Sequence, residues 1–282
     1  MEILTTGHGL LEGPVIDSAG GLIFSDVTLG GVKRLDPSGT VETIVPGRRG
    51  IGGLALHVNG GLVLSGRNVA FKAPGRETVV LLGDDPEHDI LGFNDLTTDA
   101  VGRVYVGSLA FRAIAGQEAK PGALHLLDLD GSTRVVSSGI LVTNGLGFSP
   151  DGRRLYHCDS VPQLVWVYDV DSDGELQDRR VFARIEGGIP DGLVVSADGA
   201  VWVAVYQGGH IVIFEPDGSV RSRIEAPAST VTTLCFAGDD GRDLYVLTGP
   251  SGAPSDVGGG VYRTRVDVPG LPVTPACVAV PR

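Results

Sequence analysis

The chain has 282 residues, a formal net charge of −12 and 42% hydrophobic residues. That acidity repels phosphate backbones and weighs against a nucleic-acid binder, while the hydrophobic content weighs against disorder. Its 43 glycines and 17 prolines are the punctuation of many short strands joined by tight turns.

The opening MEILTTGHGLLEGP has no basic stretch ahead of a long apolar run, so neither a signal peptide nor a membrane span is expected. Cys158, Cys235 and Cys277 are odd in number and widely spaced. They read as free thiols, not a disulfide framework or a zinc knuckle, which fits a cytoplasmic protein.

Along the chain, a small polar turn with glycine followed by a short apolar alternation recurs six times. It runs as DSAGGLIFSDV from Asp17, HVNGGLVLSGR from His57 and TDAVGRVYVGS from Thr98. It returns as SPDGRRLYHCDS from Ser149, SADGAVWVAVY from Ser196 and GDDGRDLYVLTG from Gly238. The turn glycines are Gly20, Gly60, Gly102, Gly152, Gly199 and Gly241, a period of roughly 40 to 50 residues. Between the copies lie further paired strand-like runs such as GGVKRLDPSGTVETIV and HIVIFEPDGSVRSRI, each folded about another Asp- and Gly-containing turn. Four strands per period, repeated six times, predicts an all-β, six-bladed β-propeller with four-stranded blades. A jelly roll or a two-domain sandwich needs no such period. With no linker-like segment, residues 1–282 read as one propeller domain. The apolar tail CVAVPR is expected to pair with N-terminal strands and close the ring, since closure removes exposed edges.

A propeller's inner strands converge on a central channel. Glu12 in LLEGPVID, Asn94 in GFNDLTTD, Asn144 in VTNGLGFSPDG and Asp191 in IPDGLVVSADG each precede a repeat's turn at a similar offset. The closed ring would therefore gather them at one end of that channel. Singly, Glu12 also fits an exposed loop, Asn94 and Asn144 Asx-turns, and Asp191 a Pro-Asp-Gly turn. Together, two carboxylates and two amides make a hard, oxygen-only donor set suited to Ca²⁺ first, with Mg²⁺, Mn²⁺ or Zn²⁺ as alternatives. A divalent metal ion with open positions polarises a carbonyl and acidifies a water. The loop 110–121 reads as a lid with Phe111 and Arg112 over the substrate, or as a plain solvent loop. None of the six histidines forms a ligand pair, and no Gly-x-Ser-x-Gly string sits between a strand and a helix as a serine nucleophile requires.

In TNGLGFSPDGRRLYHCDS from Thr143, PDGLVVSADGAVWVAVYQGGHI from Pro190, FNDLTTDAVGRVYVGS from Phe93 and EGPVIDSAGGLIFSD from Glu12, the sequence resembles the SMP-30/gluconolactonase/luciferin-regenerating-enzyme family over nearly its whole length. The resemblance implies one divalent metal held by Glu12, Asn144 and Asp191, with Asn94 bordering metal and substrate. It also implies Asp191 as the catalytic base and a small lactone or ester as the substrate. Two positions depart from that family's sugar-lactone pattern. Gly92 stands where an Arg often precedes the F-N-D motif, and Arg112 stands in a loop where a Glu is common. These departures lead away from gluconolactone itself.

Other readings remain open on the same residues. A phosphotriesterase-like hydrolase would use the same metal. A non-catalytic ligand- or protein-binding propeller would not need four polar residues in phase. A strictosidine-synthase-like condensing enzyme would need a general-base Glu in the late repeats, where none stands out.

Overall fold

A computed structural model describes residues 1–112, 115–251 and 256–281. Two residues of the expected lid, Ala113 and Ile114, lie outside them. The chain forms six antiparallel four-stranded sheets, the blades of a six-bladed β-propeller. The inner strands are Leu11–Ile16, Leu54–Leu56, Gly92–Thr98, Thr143–Phe148, Ile189–Val195 and Val231–Ala237 in blades 1 to 6. Each contacts the next, and Val231–Ala237 contacts Leu11–Ile16 to complete the circle.

The repeated turn has a simple cause. All six turn glycines adopt positive φ, from +69° to +90°, which only glycine takes without strain. An aspartate often supplies the turn's own hydrogen bonds: Asp17 Oδ1 accepts from the N–H groups of Ala19 and Gly21, and Asp99 Oδ1 from those of Val101 and Arg103.

The core lies between blades. In blade 5, Val201, Val203 and Val205 pack with Tyr156, Val165 and Val167 of blade 4. The alternate residues Ala200, Trp202 and Ala204 pack with Val231, Leu234 and Val246 of blade 6. The period-two alternation of a strand thus buries both faces.

Ring closure corrects the sequence expectation. The tail does not pair with N-terminal strands. The N-terminal strand Glu2–His8 is itself the outer strand of blade 6, antiparallel to Gly259–Arg265. The tail instead crosses the channel end remote from the site residues. It bridges Ser196 at Gly270 and His57 at Ala276, then donates from Cys277 N–H to Gly102 O. Pro269, Pro272, Pro275 and Pro281 deprive this segment of the donors a ladder strand needs. Cys158, Cys235 and Cys277 are free thiols, the first two buried. Among the described residues no helix is long and apolar enough to cross a membrane.

One core position breaks the apolar rule. Leu96, Leu193 and Leu234 on inner strands face Val106, Val203 and Val246, but Leu146 faces His157. His157 is fully buried and, among the described residues, neither ring nitrogen has a hydrogen-bond partner. Burial lowers its pKa to about 3. Because the unfolded chain then binds a proton the fold refuses, stability falls as pH drops from about 6.5 towards 3. His157→Leu should therefore stabilise by about 1–3 kcal/mol at neutral pH, and by more near pH 5, read as thermal midpoints against pH. A midpoint that does not rise would show that His157 has an ordered partner.

Candidate active site

Glu12 and Gly20, Asn94 and Gly102, Asn144 and Gly152, and Asp191 and Gly199 are each eight residues apart. The common offset has a structural meaning. Each of the four lies where the inner strand slips register against its neighbour: between Glu12 and Val15, Phe93 and Leu96, Thr143 and Leu146, and Pro190 and Leu193. Such bulges re-aim a side chain, here towards the axis. They are strand residues, so the turn readings of Asn94, Asn144 and Asp191 do not hold.

The following residue makes room. Gly13, Gly53, Gly145 and Gly192 follow the site position in blades 1, 2, 4 and 5. A Cβ on Gly145 would sit 2.0 Å from Leu193 N, and one on Gly53 2.5 Å from Leu96 N. The inner strands approach so closely at this level that only glycine fits. Blades 3 and 6 differ, with Asp95 and Leu234 in the corresponding place, and Asp95 Oδ1 lies 2.9 Å from where a Gly53 Cβ would be. The F-N-D string points to Asn94 and gives no sign of Asp95. The signal was available as the missing glycine.

A chain of hydrogen bonds orients the amides. Asn94 Nδ2 donates to Thr143 O at 2.7 Å and to Asn144 Oδ1 at 2.6 Å. Asn144 Nδ2 donates to Ser160 Oγ, and Ser160 donates to Pro190 O, both at 2.7 Å. The backbone of the Asp191 strand thereby fixes which way both amides point.

Glu12 and Asp191 are 8% and 7% exposed. Burial, then Asp191 and Asp95, raises the Glu12 pKa well above the carboxylate range. Burial, then Asp95, does the same to Asp191, and burial lifts Asp95 to about 7. None of the three has an ion-pair partner among the described residues. The nearby Cys158 thiol is also pushed up, by burial and by these carboxylates, which makes it a poor nucleophile. Mutually repelling carboxylates beside fixed amide oxygens fit a hard divalent cation. Among the described residues no cluster of three His, Cys, Asp or Glu side chains is set up for a metal, so the amide oxygens would have to complete the coordination.

Below these residues a cavity of about 350 Å³ runs down the axis, lined by all six inner strands and Asp95 and reached by tail residues Leu271–Pro275. The loop carrying Arg112 leaves from Leu109, which pairs with Gly92 at the site end. Arg112 itself is exposed, and its N–H donates to Gln117 Oε1. Among the described residues no hydrogen bond or ion pair joins it to the four axial residues. Phe111 is buried. A side chain at Gly92 would begin 3.0 Å from Gly66 O, where Phe93 N–H bonds that same oxygen.

A six-bladed propeller whose bulged inner strands converge carboxylates and amides on one channel mouth defines a class of axial-site propellers. The sequence pattern of the SMP-30/gluconolactonase/LRE-like region matches residues 10–249, and the chain belongs to that family. It is 32% identical to the 6-deoxy-6-sulfogluconolactonase of Pseudomonas putida, over 88% of each chain. It is 30% identical to a pentonolactonase of Haloferax volcanii, over 96% of each. A solved luciferin-regenerating enzyme superposes with a TM-score of 0.83 at 25% identity, covering 98% of this chain and 96% of that one.

Proposed function

We propose that this chain hydrolyses a small lactone at a divalent cation, calcium before magnesium, manganese or zinc, held by Glu12, Asn144 and Asp191. The observation that carries the reading is the pair of buried, unpaired carboxylates Glu12 and Asp191 beside two amides of fixed orientation. When bound, the cation polarises the carbonyl and acidifies a water.

The remaining work belongs to the chain. Asp191 accepts the proton of the attacking water, since a carboxylate turned towards a cation regains its charge and can act as a base. Asn94 Oδ1 is left free by an amide whose nitrogen is already engaged twice, and it accepts a hydrogen bond from a substrate hydroxyl. Inner strands packed backbone to backbone hold these groups in place without rearrangement. The free thiols Cys158, Cys235 and Cys277 support a cytoplasmic location.

Substrate choice departs from plain hexonolactones. Gly92 removes the donors of a guanidinium, and Arg112 offers one on the loop above. The relatives named for a sulfonated lactone and for pentonolactones support a preference of this kind. The test is a panel of hexono-, pentono- and anionic lactones, followed by acid release, for wild type and Arg112→Ala. We expect an optimum away from gluconolactone and a flattened profile for the variant. Equal profiles would remove Arg112 from the site, and no lactone turnover at all would end the reading.

A further inference from the structure

Two blades contribute no site carboxylate or amide. Blade 2 has Gly52, and its space is taken: a Cβ there would meet Asn94 Oδ1 at 2.3 Å. Blade 6 has Thr233 eight residues before Gly241, in the sector between Asp191 and Glu12. What overhangs that sector comes from the second strand of blade 5. Tyr206 ends the strand Val201–Tyr206, pairs with Ile189, and bridges Thr230 at the entry to blade 6's inner strand. Strand alternation puts it on the face of Trp202 and Ala204, which pack against blade 6.

We propose that Tyr206 is a substrate-positioning residue whose hydroxyl donates a hydrogen bond to an oxygen of the bound lactone, across the open edge between Asp191 and Glu12. This deepens the lactonase reading and rests on it. The side chain is half-buried and its hydroxyl has no hydrogen-bond partner among the described residues. The Tyr105 hydroxyl, by contrast, donates to Gly174 O, and Tyr168 accepts from Ser137. Tyr206 pairs with Ile189, two residues before Asp191, and burial first, then Asp191 and Glu12, raises its pKa, so the phenol stays protonated. A neutral donor over an anionic floor cannot neutralise the carboxylates. It is suited instead to an incoming neutral oxygen acceptor, and it selects lactones that present one on that side of the ring.

The test compares wild type with Tyr206→Phe, which keeps the ring and removes only the hydroxyl, using two readouts. In lactone hydrolysis with saturating metal, kcat/KM should fall about tenfold or more, the loss expected for one hydrogen bond to a reacting group. The shape of the pH profile should be unchanged, because Tyr206 is not the base. In the second readout, terbium ions replace the divalent cation and tyrosine-sensitised emission is recorded. The variant should bind terbium with wild-type affinity and lose most of that emission. Unchanged kcat/KM in an active enzyme, or unchanged emission, overturns the role of Tyr206 and leaves the lactonase reading intact. A wild type that binds terbium with tyrosine-sensitised emission yet cleaves no lactone overturns the lactonase reading and the positioning role with it.

Discussion

Asp191→Asn should lower kcat about 10²–10⁴-fold with metal in excess, while Glu12→Gln should mainly weaken metal affinity and recover as metal is added. The two carboxylates are alike in burial but are asked for different things. Glu12 supplies charge and an oxygen, and glutamine keeps the oxygen. Asp191 supplies these and also accepts a proton, which an amide cannot do. Asparagine preserves shape at a position where the strand bulge and Gly192 leave little freedom, so the loss reports chemistry and not collapse. The measurement is kcat and KM for both variants across a metal titration. Recovery of Asp191→Asn to near wild-type turnover would end its assignment as base, and an unrecovered Glu12→Gln would give Glu12 a second role.

The positions of Glu12, Asn94, Asn144 and Asp191 were legible in the sequence because they share a phase with the turn glycines. A positive-φ turn is a local requirement, so Gly20 through Gly241 mark the blades without knowledge of the fold. The site residues then follow from a fixed count back along one strand. Where a feature depends on a different blade or on an absence, the sequence was mute. Asp95 is visible only as one of two gaps in a column of glycines, the other being Leu234. Tyr206 lies after its turn, not before it, and bridges to Thr230 of the neighbouring blade.

The strand that closes the ring is illegible in the sequence for a related reason. The repeat begins with an inner strand at Leu11, so blade 6 has only three strands of its own and the missing fourth is Glu2–His8. An apolar C-terminal run looked like a natural partner. Its prolines and its contacts with Val195, Leu56 and Gly102 make it instead a cover for the remote end of the channel. Arg112 was chosen by loop spacing, and loops carry no period to count along.

Chelation should destabilise the protein, and the effect should grow as pH rises. Without a cation, Glu12 and Asp191 titrate well above their ordinary values and Asp95 at about 7. A carboxyl whose folded pKa is raised holds its proton more tightly in the fold than in the unfolded chain. Its contribution is therefore fully present below about pH 4 and is lost as pH rises through the folded value. The surface carboxylates Asp17, Asp36 and Asp240 are shifted the opposite way, by hydrogen bonds and arginines, and weaken the fold only below that window. Above about pH 6.5, where His157 no longer acts, the metal-free midpoint should thus decline towards about pH 8, as three charges are forced together without a counterion. A bound cation cancels that repulsion, and ligand at about a hundredfold excess over Kd adds about 2.7 kcal/mol. The gap between loaded and chelated midpoints should widen across the same range, with hydrolysis lost on chelation and restored by calcium. Parallel midpoint curves that never separate would mean no cation sits among these carboxylates, whatever the activity does.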